Sequence, residues 1–153
     1  MITERSGDLL EQLDLTHIAH QANLYHTCGA GLAAAIGELW PHAAAVDCLT
    51  PYGNDSKLGT YSLADEQSPA VVNLYSQRGW RPGPLTDYVA LETALRALER
   101  SLRDRAGARV GLPYKLGCGI AGGDWTRVRE VIDAVFAKSP VEVVICTRPE
   151  DVI

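Results

Sequence analysis

LGCGIAGGDW, the stretch from Leu116 to Trp125, connects two segments of different character. Before it lies Arg109 to Pro113, a short apolar run of strand length, and after it lies a stretch with helical periodicity, from about Asp124 to Ala137. Four of its ten residues are glycine, so the backbone can turn tightly and present successive N–H groups to one concavity. Such a nest beside a helix N-terminus suits a phosphate group, although glycine-rich connections are also common as plain turns.

A second glycine-containing turn lies nearer the N-terminus. It is Cys28-Gly29-Ala30-Gly31, which follows a predicted strand, Leu15 to Asn23, and opens a predicted helix, Gly29 to Trp40, that Pro41 stops. Ligands of open α/β sheets collect at the carboxyl ends of the strands, so we expect both turns to meet one ligand that carries two phosphates. Neither turn is a P-loop or a complete GxGxxG with a well-placed acidic residue. The sequence therefore disfavours ATPases and Rossmann dehydrogenases.

The remaining segments predict a hairpin, two further helices and a last strand. Leu58 to Ala64 and Ala70 to Ser76 have strand character with a polar turn between them, which predicts the hairpin. The helix after it has Thr86 as its predicted cap and one apolar face, made of Leu91, Ala94, Leu95, Leu98 and Leu102. The second helix is the one that follows LGCGIAGGDW, and the last strand is Val141 to Cys146. This order predicts a mixed sheet covered by helices on both faces.

Composition and charge exclude several classes of protein. With 153 residues, of which 46% are hydrophobic and 22% charged, the chain has the size and balance of one globular domain. Its formal net charge of -5 disfavours non-specific binding to a nucleic-acid backbone, which relies on many Lys and Arg contacts. No apolar run approaches the roughly 20 residues of a membrane span. The N-terminus has no basic stretch leading into an apolar run, so we expect a cytoplasmic protein.

The four cysteines do not have the spacing of a metal site. Cys28, Cys48, Cys118 and Cys146 lie far apart, and none belongs to a Cys-x-x-Cys pair. We therefore expect reduced thiols and no bound metal.

Five segments together resemble a macro domain, in an order and spacing that extend over nearly the whole chain. They are Gly7 to Leu10, His20 to Asn23, the turn from Cys28, Val72 to Gln77, and Pro113 to Trp125. Within macro domains the chain is most similar to the subfamily that contains terminal ADP-ribose protein glycohydrolase and the yeast-type ADP-ribose 1''-phosphate phosphatase. The resemblance implies one domain over residues 1–153, a three-layer α/β/α fold and a mixed, mostly parallel six-stranded sheet. It also implies ADP-ribose or a derivative as the ligand, with no cofactor.

The resemblance assigns a role to each part of the site. Asp8 would accept a hydrogen bond from the adenine amino group, and Asn23 would meet the distal ribose. From the residues alone, Asp8 is equally explained as a turn former and Asn23 as the last residue of a strand. The complete implied set is Asp8, Leu9, Gln21, Asn23, Cys28, Gly29, Ala30, Gly31, Leu32, Ser76, Gln77, Gly117, Cys118, Gly119, Ile120 and Ala121.

Two positions depart from the glycohydrolase pattern. Gln77 stands where that enzyme has its lysine, and an amide cannot form a Schiff base. Ala121 stands where it has its aspartate, and a methyl group cannot transfer a proton. His20 and Asp124 are the remaining catalytic candidates, because His20 can titrate near neutral pH and Asp124 follows the glycine loop. A hydrogen-bonded strand residue and a helix cap are the structural alternatives for these two.

The sequence thus predicts a protein that binds ADP-ribose and hydrolyses a derivative of it. ADP-ribose 1''-phosphate is the preferred substrate, and an ADP-ribosyl group on another molecule is the second. The alternative is a non-catalytic reader of ADP-ribose or of ADP-ribosylated protein or nucleic acid, which the missing lysine and aspartate favour.

Overall fold

A six-stranded sheet forms the centre of the protein, whose computed structural model describes residues 1–27, 31–80, 84–119 and 121–151. The strands are β1 (Ile2–Ser6), β2 (His17–Asn23), β3 (Tyr61–Ala64), β4 (Ala70–Gln77), β5 (Arg109–Pro113) and β6 (Glu142–Thr147). Their order is β1-β6-β5-β2-β4-β3. Every neighbouring pair is parallel except the β3–β4 hairpin, which is antiparallel. The predicted mixed, mostly parallel sheet and its hairpin are confirmed.

Four helices cover the two faces of this sheet. They are α1 (Gly31–Leu39), α2 (Pro41–Cys48), α3 (Tyr88–Leu102) and α4 (Trp125–Phe136). Successive side chains of β2 point to opposite faces of the sheet, so the protein has two hydrophobic cores. Ile18 packs with Ile36 of α1 and Ala43 of α2. Ala19 packs on the other face, with α3 and α4. The result is the three-layer α/β/α arrangement that the sequence predicts.

Two elements are missing from the sequence-based prediction. The segment ITERS forms β1, although only Ile2 and Arg5 in it are even partly buried, because it pairs in register with β6 from Ile2–Val143 to Ser6–Thr147. An edge strand of this kind has no hydrophobic alternation to mark it. Pro41 ends α1 as expected, but it also stands at the first position of α2, where its missing N–H costs nothing.

The amphipathic helix α3 confirms its predicted buried face but not its predicted cap. Leu91, Ala94, Leu95, Leu98 and Leu102 are all buried. Asp87 is the N-cap, and its side chain accepts from the Ala90 N–H at 2.9 Å. The Thr86 hydroxyl instead donates to the Gly117 carbonyl at 2.7 Å. Thr86 was therefore the wrong choice of cap, because its hydroxyl has a tertiary acceptor outside the helix.

No helix in the described ranges is long and apolar enough to cross a membrane.

Leu95 provides a test of the packed core between the sheet and α3. Its side chain is completely buried in the cluster that α3 and α4 form with the sheet, so Leu95→Ala should lower the free energy of unfolding by about 2–5 kcal/mol. Leu13→Ala removes the same atoms from a fully exposed side chain and should change it by less than about 0.5 kcal/mol. Urea unfolding followed by circular dichroism measures both values. Equal effects of the two substitutions would contradict this account of the core.

Candidate functional site

A cleft of about 1110 Å³ runs along the carboxyl edge of the sheet. Five parallel strands end at this edge, so the residues that follow them line one continuous space. From the predicted set the cleft is lined by Asp8, Leu9, His20, Gln21, Asn23, Gly31, Leu32, Gln77, Gly117, Cys118, Gly119 and Ala121. The structure thus places most of the predicted site residues in this one space.

The other predicted site residues lie elsewhere or outside the described ranges. Ser76 is completely buried behind the cleft, and its hydroxyl donates to Gln21 Oε1 at 2.7 Å. Asp124 is not among the lining residues; its carboxylate caps α4 by accepting from the Thr126 N–H at 2.9 Å. Cys28, Gly29, Ala30 and Ile120 lie outside the described residues.

The glycine loop, residues 117–123, is closed by hydrogen bonds to one carbonyl. The Gly117 oxygen accepts from the Gly123 N–H at 2.9 Å and from the Thr86 hydroxyl at 2.7 Å. Gly117 has φ +73°, a left-handed conformation that favours glycine. A Cβ on Gly123 would lie 2.5 Å from the Gly117 oxygen. Both glycines are therefore required by the way the loop folds.

Backbone donors remain on this loop after it has closed. The N–H groups of Gly122 and Gly123 donate to carbonyls of the loop, and that of Cys118 donates to the carbonyl of Lys115, just before the loop. Those of Gly117, Gly119 and Ala121 donate to no acceptor among the residues that the structure describes. All three of these residues line the cleft, so their amide dipoles are available to an anionic ligand.

The opposite wall is the N-terminus of α1. Gly31, Leu32, Ala33 and Ala35 of this nine-residue helix line the cleft. The first N–H groups of a helix have no partner within it, and the helix dipole places partial positive charge there. An anion between α1 and the glycine loop would therefore meet backbone donors from both sides.

Asp8 lies at one end of the cleft, where β1 and β6 finish. The Gly7 N–H donates to the Thr147 carbonyl at 2.9 Å and joins the two strand ends. The Asp8 carboxylate caps the short 3-10 helix Leu9–Glu11 through Oδ1, which accepts from the Leu10 N–H at 2.9 Å. A carboxylate has two acceptor oxygens, so this turn-forming role leaves acceptor capacity for a ligand. Asp8 both forms a turn and lines the cleft.

Arg148 and Glu150 also line the Asp8 end, and sequence reasoning did not include them. They directly follow β6, with Arg148 Nε 3.7 Å from Glu150 Oε1. Tyr114, which directly follows β5, was missed in the same way. The available signal was position: residues that follow a parallel strand come to the same edge as the glycine loop.

Asn23 lies toward the other end of the cleft and organises the turn that follows β2. Its Oδ1 accepts from the Tyr25 N–H at 2.8 Å, and its Nδ2 donates to the Thr27 hydroxyl. Tyr25 contacts the Trp80 ring edge-on, with 5.2 Å between centroids. Trp80 is about half exposed and lines the cleft. The Asn23 amide therefore holds this end in shape.

Amides and a hydroxyl form a network around Gln77, the position at which the glycohydrolase that the sequence resembles has its lysine. Gln21 Nε2 donates to Gln77 Oε1 at 3.2 Å and to the Thr86 hydroxyl at 3.0 Å. Gln77 Nε2 in turn donates to the Gly79 carbonyl. The structure thus orients the Gln77 side chain through neutral hydrogen bonds, and this side chain carries an amide in place of an amine.

His20 lies under α1 and is 3% exposed. Its Nε2 lies 2.6 Å from Asn73 Oδ1. Burial lowers the pKa of His20 below its ordinary value, and the hydrogen bond to Asn73 opposes the effect only in part. His20 is therefore neutral at pH 7. In the described ranges no group of three or more His, Cys, Asp or Glu side chains is placed to hold a metal ion.

Comparison with known proteins identifies the fold. No family model matches the chain. It is 29% identical over 133 residues to an uncharacterized 17.5 kDa protein of the tk-vs intergenic region of Enterobacteria phage T4, covering 84% of each chain. A Bacteroides thetaiotaomicron protein of unknown function superposes with a TM-score of 0.82 at 20% identity, covering 96% of this chain and 98% of that one.

Two further solved structures are similar to nearly the whole chain, and the first of them is named as a macrodomain. The macrodomain of Mycobacterium tuberculosis DarG has a TM-score of 0.78 at 24% identity, over 95% of this chain and 97% of that one. Thermosipho africanus DarTG, solved in complex with ADP-ribose, has a TM-score of 0.75 at 19% identity, over 99% of this chain and 43% of that one. The sheet order and these superpositions show that the chain has the macrodomain fold. The fold that the sequence resemblance implies is confirmed.

The two glycines at positions 119 and 123 test the geometry of the loop. Gly123→Ala places a methyl group against the Gly117 carbonyl and should lower the free energy of unfolding by about 1–3 kcal/mol. Gly119→Ala adds the same methyl group where nothing lies within 4 Å, and we expect a change within about 0.5 kcal/mol. Urea unfolding measures both variants. If Gly123→Ala is as well tolerated as Gly119→Ala, the closed loop described above is wrong.

Proposed function

We propose that the cleft binds ADP-ribose with its diphosphate between the start of α1 and the glycine loop. The observation that carries this proposal is the group of backbone donors at Gly117, Gly119 and Ala121, which have no acceptor in the described part of the chain and belong to residues that line the same cleft as the start of α1. Fixed amide dipoles bind an anion without requiring excess Lys or Arg. This explains how a chain of net charge -5 recognises a diphosphate.

The order of the strands supports one orientation of the ligand. Asp8 lies at the β1–β6 end, with a carboxylate oxygen for the adenine amino group, and Leu9 beside it is buried and apolar. Asn23 and Gln77 lie at the β2–β4 end, where amide groups suit the hydroxyls of the distal ribose. Gly31 and Leu32 of α1 complete the phosphate site with the glycine loop. In the proposed site Cys28, Gly29, Ala30 and Ile120 extend the same two loops.

The structural comparisons support this choice of ligand. Thermosipho africanus DarTG shares the fold over nearly all of this chain and was solved with ADP-ribose bound. At 19% identity the likeness speaks for the fold, and the backbone donors of this chain provide the argument for the ligand itself.

We further propose that the protein hydrolyses a derivative of ADP-ribose, with ADP-ribose 1''-phosphate as the preferred substrate and His20 as the residue that activates water. Gln77 and Ala121 remove the lysine and aspartate of the covalent glycohydrolase route. His20 is a neutral imidazole that lines the cleft, which is the protonation state that a general base requires. Asp124 is the second candidate, and its capping bond to Thr126 argues for a structural role.

The competing function is a reader of ADP-ribose or of ADP-ribosylated protein or nucleic acid. One specific observation favours it: Gln77, at the position of the family's lysine, is held by Gln21 and by the Gly79 carbonyl. A network of neutral amides orients a ligand but transfers no proton. Binding is common to both functions, so the first experiment tests binding and the second tests turnover.

Calorimetric titration with ADP-ribose tests the binding proposal. We expect saturable heat for the unmodified chain and at least about a tenfold weaker affinity for Gly119→Leu, which corresponds to about 1.4 kcal/mol. A Cβ atom at Gly119 meets no described atom within 4 Å, and Gly119 lines the cleft, so we expect the leucine to occupy the cleft without disturbing the fold. Leu13→Ala, on the exposed surface, serves as the matched control and should bind normally. Absence of heat with the unmodified chain refutes the proposed ligand.

Phosphate release from ADP-ribose 1''-phosphate tests the activity. His20→Gln should lower kcat by about 100-fold or more while the affinity for ADP-ribose stays within about threefold. Asp124→Asn removes a carboxylate but keeps an efficient helix cap, so it should retain activity if Asp124 is structural. Tight binding without turnover on this substrate or on ADP-ribosylated protein and nucleic acid would select the reader function.

A further inference from the structure

A chain of buried hydrogen bonds leads from His20 into the layer between the sheet and α2. His20 Nε2 lies 2.6 Å from Asn73 Oδ1, and Asn73 Nδ2 lies 3.1 Å from Ser62 Oγ. Ser62 Oγ lies 2.8 Å from the Tyr75 hydroxyl, which donates to Asp47 Oδ1 at 2.6 Å. Tyr75 and Asp47 are almost completely buried. A group that lines the cleft is thus connected to the Asp47 carboxylate of α2, on the same face of the sheet.

The carboxylate end sets the direction of every bond in this chain. Tyr75 has one hydroxyl proton, which it donates to Asp47, so the Tyr75 oxygen accepts from Ser62. Burial and the bond to Asp47 both raise the pKa of Tyr75, which keeps this proton on the phenol. The Ser62 proton is then committed to Tyr75, so Ser62 must accept from the Asn73 amide. The Asn73 atom that faces Ser62 is therefore the amide nitrogen Nδ2, which donates.

A second contact gives the same orientation of the Asn73 amide. Asn73 Nδ2 also lies 3.2 Å from the carbonyl oxygen of Ala43 in α2. A backbone carbonyl only accepts, so a flipped amide would place two acceptor oxygens against each other. Both neighbours thus turn the Asn73 oxygen toward His20. Because that oxygen is an acceptor, His20 Nε2 must carry the proton.

Lys57 balances the buried end of the chain. Its Nζ lies 4.5 Å from the centre of the Tyr75 ring and donates to the Leu24 carbonyl at 3.2 Å. Burial lowers the pKa of Lys57, and the charge of Asp47 opposes this shift. A buried cation beside the buried carboxylate lowers the cost of desolvating both groups.

We propose that Asn73 is a positioning residue that holds His20 in its Nε2–H tautomer, so that Nδ1 presents a lone pair to the cleft. In the described residues every buried side-chain nitrogen or oxygen atom has a hydrogen-bond partner. Nδ1 of His20 has no such partner there, so it is not a buried atom, and His20 lines the cleft. His20 also lines a small cavity under α1 and α2, and the proposal places its free nitrogen on the side of the cleft.

A lone pair at this place selects what can approach it. It accepts from an O–H group and repels an anionic phosphate oxygen, so its partner is a water molecule or a sugar hydroxyl. In the proposed site the phosphates therefore bind to the N–H donors of α1 and the glycine loop. This statement about the ligand rests on the proposed function, whereas the tautomer is a property of the unliganded chain.

Nitrogen-15 NMR of the full chain labelled at histidine tests the tautomer directly. At pH 7 we expect the Nε2–H form of His20 to predominate by at least about tenfold. The Nδ1–H form or the imidazolium as the main species would overturn the proposal. This measurement on the unmodified protein needs no variant and no ligand.

Two substitutions at Asn73 then test its role. Asn73→Leu removes the acceptor, and we expect both His20 tautomers to be populated. Asn73→Asp places a carboxylate next to His20, and we expect the imidazolium to accumulate at pH 7. His17 serves as an internal control in the same spectra, since it lies on β2 and bonds to Thr16. An unchanged tautomer in a folded Asn73→Leu protein, with the His17 signals intact, would show that Asn73 does not position His20.

Addition of ADP-ribose separates this inference from the proposed function. We expect the Nδ1 signal to move while Nε2 stays protonated. If calorimetry detects no binding, the proposed function fails but the tautomer result stands. If ADP-ribose binds and the Nδ1 signal does not move, the lone pair does not meet the ligand and that part of the inference is wrong.

Discussion

The Gly117 carbonyl is the acceptor on which the shape of the cleft depends. It takes one hydrogen bond from the Gly123 N–H, which closes the glycine loop, and one from the Thr86 hydroxyl, which ties the loop to the segment leading into α3. Closure uses part of the loop's N–H groups and leaves those of Gly117, Gly119 and Ala121 for a ligand. The same contacts that stabilise the loop therefore decide which donors it offers.

Recognition by backbone dipoles has a consequence for selectivity. Lysine and arginine side chains follow an anion over a range of positions, whereas N–H groups in a closed loop bind only where they point. An acidic protein discourages extended polyanions through its overall charge, and in the proposed function a compact diphosphate is recognised through local geometry. Affinity is then determined by how rigidly the loop and the start of α1 are held.

The buried polar chain between His20 and Asp47 ties the sheet to α2, next to α1. Polar groups in a low-dielectric interior are costly unless all are paired, and in the described residues none of the buried side-chain polar atoms lacks a partner. A fully satisfied network tolerates one arrangement of donors and acceptors. It therefore specifies the orientation of Asn73 and, through it, the state of the imidazole at the cleft.

By itself the sequence determined the features whose physics is local. The glycine spacing of residues 117–123 predicted a tight turn, the apolar positions of α3 predicted its buried face, and Asp124 was recognised as a cap because its partner is two residues away. Only the tertiary structure decided what depends on distant neighbours. β1 is a strand because β6 lies beside it, and Arg148 lines the cleft because that strand order brings it there. The proton on His20 depends on Asn73, which is 53 positions away in the chain. The sequence gives the type and spacing of each residue. Its hydrogen-bond partner on another strand is determined only when the strands pair.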